Sequence, residues 1–157
     1  MADGAGRSTG GAGRATGRRW PAYGLVVMFL AYAVGKGVFA AQHRLGFPGG
    51  PPVSDAEAAG YFLDASVGQW MACGSGVLGA LVVLAAAYRW EVWGGRVVLG
   101  GALSLVVLAV LGGGGIMALD GFVGIGVGWQ WYHGVVGVVV ILLSLLVARE
   151  FFSAQRR

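Results

Sequence analysis

The chain carries four long apolar runs, over residues 23–42, 67–88, 97–118 and 131–148, and every charged residue except Lys36 lies outside them. Each run is close to the ~20 residues that take a helix across ~30 Å of hydrocarbon. The pattern predicts an all-α, polytopic membrane protein with four transmembrane helices in a compact bundle. Residues 1–20, "MADGAGRSTGGAGRATGRRW", are rich in Gly, Ala, Ser, Thr and Arg and have no apolar periodicity, which predicts a disordered basic tail. Residues 21–150 then make the membrane domain, and residues 151–157 a short second tail.

Composition excludes a soluble domain. Hydrophobic residues are 57% of the 157 and charged residues 11%, with a mean hydropathy of +0.73, against ~25% charged residues in soluble domains. Asn is absent, Lys occurs once against ten Arg, and Gly occurs 31 times, a bias that fits GC-rich codon usage. The single cysteine, Cys73, rules out an intramolecular disulfide, a CxxC redox pair and a cysteine-based zinc cluster.

Charge then suggests the orientation. Arg7, Arg14, Arg18 and Arg19 precede the first run, Arg89 and Arg96 lie between the second and third, and Arg149, Arg156 and Arg157 follow the fourth. The other side has Arg44 with Asp55, Glu57, Asp64 and Asp120. The positive-inside rule predicts both termini in the cytoplasm, consistent with an even number of spans. Aromatics cluster at both ends of the runs, as interfacial belts do. The stretch "RRWPAYGLVVMFLAYA" also has the layout of a cleaved signal, with Ala31-Tyr32-Ala33 as an A-x-A site. The apolar run continues to Ala41, so an uncleaved first span is expected. Residues 1–19 hold no aromatics to stack on bases, and no nucleic-acid partner is expected. The expected partners are the lipid bilayer and, through small-residue faces, a second copy or a membrane subunit.

Two connections face outward on this topology. "GFPGGPP" must turn, and "SDAE" reads as a capping box, Ser54 with Glu57, opening a short amphipathic helix through Ala58, Tyr61, Phe62 and Ala65. In the second, "GIGVGW" lacks the Lys-Ser/Thr of a phosphate loop, which removes nucleotide binding.

Polar residues within the runs gather at one depth. Tyr32, Lys36, Ala40 and His43 share a face of the first, Gln69, Cys73 and Gly76 of the second, and Gln130, His133, Gly134, Gly137 and Ser144 of the fourth. At 1.5 Å per residue, Lys36, Cys73, Gly137 and the run Gly112, Gly113, Gly114, Gly115 fall in one outer layer, with His43, Asp64, Asp120 and His133 just above it. This predicts a polar, glycine-lined outer pocket with Lys36, His43, Asp64, Cys73, Asp120 and His133 as candidates. The four glycines predict a helix break. Lys36 is then expected either to donate to carbonyls freed there, or to pair with Asp120 or Asp64, or to snorkel to the interface. His43 and His133 raise bis-histidine haem, and with Asp64 and Asp120 a metal site; neither has a diagnostic spacing, and no cofactor is expected.

The run "GKGVFAAQHRLGFPGG", which closes the first span ahead of an outer loop and three further spans, resembles a family of small four-span membrane proteins of GC-rich Gram-positive bacteria. The resemblance covers residues 31–52 and the span count. It implies the architecture alone, since the family brings no established activity. The expected function is non-enzymatic, that of a transport-related or accessory subunit. The competing expectation is an extracytoplasmic-facing enzyme or a haem or metal redox subunit.

Overall fold

The computed structural model describes residues 19–51, 53–88, 95–124 and 129–155. Five helices occur among them: α1 Trp20–Ala41, α2 Asp55–Ala59, α3 Ala65–Tyr88, α4 Gly95–Val123 and α5 Trp131–Gln155. The fold is all-α, and α1, α3, α4 and α5 are each long and apolar enough to cross a membrane. Residues 1–18 of the expected disordered tail, Trp90 and Trp93 among the aromatics expected at the span ends, residues 125–128 of the second outer connection and the Glu57 side chain lie outside the described residues.

The helices overrun the apolar runs. α1 starts at Trp20 with Pro21 in its first turn, where a missing N–H removes no helical bond. α4 continues past residue 118 and takes Asp120 into its last turn. α5 continues to Gln155, so most of the expected C-terminal tail is helix. α2 is shorter than expected: it spans five residues, and Tyr61 and Phe62 lie beyond it.

The four glycines do not break α4, which runs unbroken through Gly112–Gly115. Each glycine costs ~1 kcal/mol against alanine in water. In hydrocarbon a freed carbonyl has no water to bond, so keeping the helical bonds is the better outcome. Gly114 also has a packing use: it is buried against α5, where a Cβ on Gly137 would lie 2.5 Å from the Gly114 carbonyl oxygen.

The bundle is built from two close helix pairs. α1 packs most extensively on α3, and α4 on α5; α3 and α4 touch far less. Glycine permits both approaches, as expected where small residues let membrane helices meet. On α3, a Cβ at Gly76 would lie 3.0 Å from the Tyr32 ring and 3.1 Å from the Phe29 carbonyl. On α4, a Cβ at Gly121 would run into the backbone of Gly134.

The two ends of the bundle are packed differently. At the end that holds the described residues nearest the chain termini, Leu25, Val83 and Leu103 are fully buried and join Ala22, Ala80, Leu143, Val147 and Phe151 in one apolar core. Tyr23 and Tyr88 meet there through their hydroxyls at 3.0 Å, with the Arg19 guanidinium 4.9 Å from the Tyr88 ring centre. We call this the terminal end. Toward the other end the pairs part. Valines and leucines such as Val34, Leu78, Val97, Leu105 and Leu108 stay exposed on the flanks, and Trp20, Tyr23, Phe62, Trp70 and Trp131 are exposed near the ends, as a lipid-embedded bundle with aromatic belts requires.

Replacing Gly121 by Leu should force α4 and α5 apart and cost about 1–3 kcal/mol or more, the range for overpacking. Gly112→Leu, where a Cβ meets nothing within 4 Å, should leave stability unchanged or slightly raised. Thermal unfolding of both variants in detergent checks the difference.

Candidate functional site

At the end opposite the termini, the chain leaves α1 and folds back on the bundle. α1 stops with His43 in the left-handed region (φ 52°), the His43 N–H on the Ala40 carbonyl at 3.1 Å and the Arg44 N–H on the Phe39 carbonyl at 3.0 Å. This is a Schellman ending, with histidine where glycine is usual. Its exposed ring points to no shared site; its backbone ends the helix.

The next residues, 45–51, form a strap across the bundle's mouth. Phe47-Pro48-Gly49-Gly50 has proline second and glycine third, with Gly49 at φ 72° and the Gly50 N–H on the Phe47 carbonyl at 2.8 Å, the pattern of a type II turn. Gly46, at φ 150°, also takes a conformation that favours glycine. Pro48 seats against Gly35, leaving no space there for a Cβ. Phe47 lies between Tyr32 (ring centres 5.7 Å apart) and Trp129 (5.5 Å).

Three helices hold the strap by its carbonyls. Lys36 Nζ of α1 donates to the Gly46 oxygen at 2.6 Å, and Gln69 Nε2 of α3 donates to the same oxygen at 3.0 Å. His133 Nδ1 accepts from the Gln130 N–H at 3.1 Å, which leaves the proton on Nε2; Nε2 donates to the Gly49 carbonyl at 2.7 Å. With Gln130 as N-cap, His133 takes the reach-back place of the acidic residue in a capping box. Ser66 Oγ of α3 donates to the Ala40 carbonyl at 2.8 Å and ties the end of α1 to the start of α3.

This changes the expected roles. The partner of Lys36 is the strap, neither the carbonyls of Gly112–Gly115 nor Asp120 or Asp64. Placing a lysine in a bilayer helix costs roughly 2.5–3.5 kcal/mol. A charge-assisted bond of ~1.5–3 kcal/mol offsets most of that, as do the Phe47 and Tyr32 rings, centred 5.4 and 5.6 Å from Nζ. Snorkelling is therefore unnecessary. Asp64 is the N-cap of α3, its Oδ1 accepting from Ser66 N–H at 2.9 Å and Val67 N–H at 3.2 Å. Cys73 packs at the α1–α3 contact, 3.6 Å from where a Cβ on Gly37 would lie. Both His133 nitrogens are engaged, and no group of three or more His, Cys, Asp and Glu side chains suited to a metal ion occurs among the described residues.

Behind the strap lies an apolar cavity of about 480 Å³. None of Lys36, His43, Asp64, Cys73, Asp120 and His133 lines it. Its walls include Phe29, Gly79, Val110, Gly113, Gly114 and Val140, with Phe47 and Trp129 at the strap end. Of the proposed layer only Gly113, Gly114 and Gly137 belong to it. Ser75, also on the wall, turns its hydroxyl to the Ala72 carbonyl of its own helix at 2.7 Å.

Sequence reasoning missed Gly46, Phe47 and Gly49 as parts of the site and did not connect Ser66 and Gln69 to it. The signal was Phe-Pro-Gly-Gly, a turn with its own chemistry rather than a generic bend. Comparison with protein-family models, with curated proteins and with solved structures finds no match for the chain.

Lys36→Met should lower stability by about 1–3 kcal/mol and expose the strap to protease. Gln69→Leu should cost less, because it also removes Oε1, a buried oxygen without a hydrogen-bond partner. The two should be non-additive, since they share an acceptor; thermal unfolding of the single and double variants reads this. His43→Gly should raise stability by about 1 kcal/mol by relieving a left-handed histidine, and an unchanged or lowered melting temperature would contradict that role.

Proposed function

We propose that the protein is a non-catalytic, multi-pass protein of the cell membrane, both termini cytoplasmic, that acts as an accessory or transport-related subunit by holding an apolar ligand beneath a fixed outer cap. One observation carries this reading. The polar side chains at the strap end are engaged in architecture, Lys36, Gln69 and His133 on the strap and Asp64 and Ser66 at helix ends, while the space behind the strap is apolar. Chemistry at Lys36 or His133 would have to displace the bonds that hold the cap. Binding in the cavity displaces none.

The orientation rests on the arginines. Arg19, Arg96 and Arg149 fall at the terminal end and Arg44 at the strap end, an asymmetry that supports a cytoplasmic terminal end. The strap sequence "LGFPGG" is also the part that resembles small four-span bacterial membrane proteins, and membership of such a family is part of the proposal.

Topology is tested in a Cys73→Ser background carrying either Ser8→Cys in the N-terminal tail or Ser54→Cys after the strap. A membrane-impermeant maleimide applied to intact cells should label only the Ser54→Cys protein. Labelling of the Ser8→Cys protein alone would invert the orientation.

A further inference from the structure

The cavity has a direction. Its rim residues Ser75 on α3 and Ala109, Gly113 and Ile116 on α4 are exposed, and these two helices touch far less than α1 and α3 or α4 and α5 do. The cleft therefore opens sideways between α3 and α4, onto the flank that exposes Leu78, Leu105 and Leu108. Toward the strap end, Phe47 and Trp129 stand across it with ring centres 5.5 Å apart. Toward the terminal end, the core around Val83 and Leu103 closes it. The way in is from the bilayer rather than from water.

Water is a poor occupant for a second reason. A buried water needs two to four polar partners. The one side-chain hydroxyl that α3 places on the wall, Ser75, is already bonded within its own helix. About 480 Å³ has room for on the order of 16 groups of ~30 Å³, a water's share of liquid volume and close to that of a methylene.

We propose that the cleft between α3 and α4 is a binding site for one acyl chain of a membrane phospholipid, taken sideways from the leaflet at the strap end. The inference rests on the membrane reading above and names the ligand class of the same cavity. Acyl chains are the solvent on the open side, so they reach the cleft at a concentration that no scarcer apolar solute matches. Gly113 is the gatepost. It lines the cavity, and a Cβ there meets nothing within 4 Å, so the rim stays open because this residue has no side chain. The strap locked by Lys36 and Gln69 fixes how far the chain can climb.

The test compares neighbouring glycines. Gly113→Leu puts a side chain into the cleft, whereas Gly112→Leu adds the same side chain on a residue outside the cavity lining. Both exchange a glycine for a better helix former at an open position, so both should fold. Wild type and variants are reconstituted in phosphatidylglycerol–phosphatidylethanolamine vesicles doped with a phospholipid carrying a diazirine on one palmitoyl chain. They are irradiated, and labelled residues are mapped by mass spectrometry. Labelling should concentrate on Gly76, Gly79, Val106 and Val110 in wild type and Gly112→Leu. It should fall about tenfold in Gly113→Leu, the discrimination that a misfitting methylene or two produces in an apolar pocket. Equal labelling of the three proteins, or wild-type label spread evenly over the lipid-facing flanks, would mean bulk lipid contact only and would overturn the site. So would displacement of the label by a few mole per cent of an isoprenoid alcohol, which would assign the cleft to a different ligand. An inverted maleimide result with the labelling contrast intact would overturn the orientation and leave the acyl-chain site standing.

Discussion

The Gly46 carbonyl accepts from the Lys36 ammonium and from the Gln69 amide, and the strap end of the molecule is arranged around that oxygen. A backbone carbonyl at this depth requires donors, and a lysine at this depth requires an acceptor. Each requirement meets the other. The lysine comes from α1 and the glutamine from α3, so a single oxygen joins the two helices of one pair to the segment that leaves the first of them. His133 repeats the device three residues further along the strap and brings in α5 from the other pair. The strap is thus a tie across the part of the bundle where the helices separate.

That separation explains why a tie is needed. At the terminal end the pairs share one apolar core. Toward the strap end, Gly114 and Gly121 draw α4 toward α5, and Gly76 and Gly79 draw α3 toward α1. Each pair closes on itself, which leaves space between the pairs. The glycines that make the pairs tight therefore also make the cavity, and the strap closes it on one side only. The side left open faces the hydrocarbon flank, and for that reason the cavity is read as a lipid site rather than a vestibule.

The four spans and their approximate ends were legible in the sequence, because the bilayer imposes a length and an apolarity that few other structures share. Lys36 was legible as a residue needing a partner. The partner was not, because it sits ten residues downstream on a loop whose path depends on the positive φ of Gly46 and Gly49. Gly112–Gly115 were misread as a break because glycine's helix penalty is measured in water, where a frayed turn finds new partners. His43 and Asp64 looked like ligands by residue type, yet each serves a helix end. Residue type alone does not separate a cap from a site. Depth arithmetic set the polar residues in one layer, but the turn of the strap decided what Lys36 and His133 bond.

The chain's single lysine permits a direct measurement. Protein labelled with ¹⁵N at lysine and ¹³C at glycine carbonyls, reconstituted in bilayers, gives one side-chain nitrogen signal for solid-state dipolar recoupling. With Nζ 2.6 Å from the Gly46 oxygen and a C=O bond of ~1.23 Å, the nitrogen should dephase against a glycine carbonyl carbon less than about 4 Å away. Replacing Gly46 by Ala should abolish that coupling. An ammonium with no glycine carbonyl carbon within this distance in the wild-type protein would contradict the strap lock and return Lys36 to the interface.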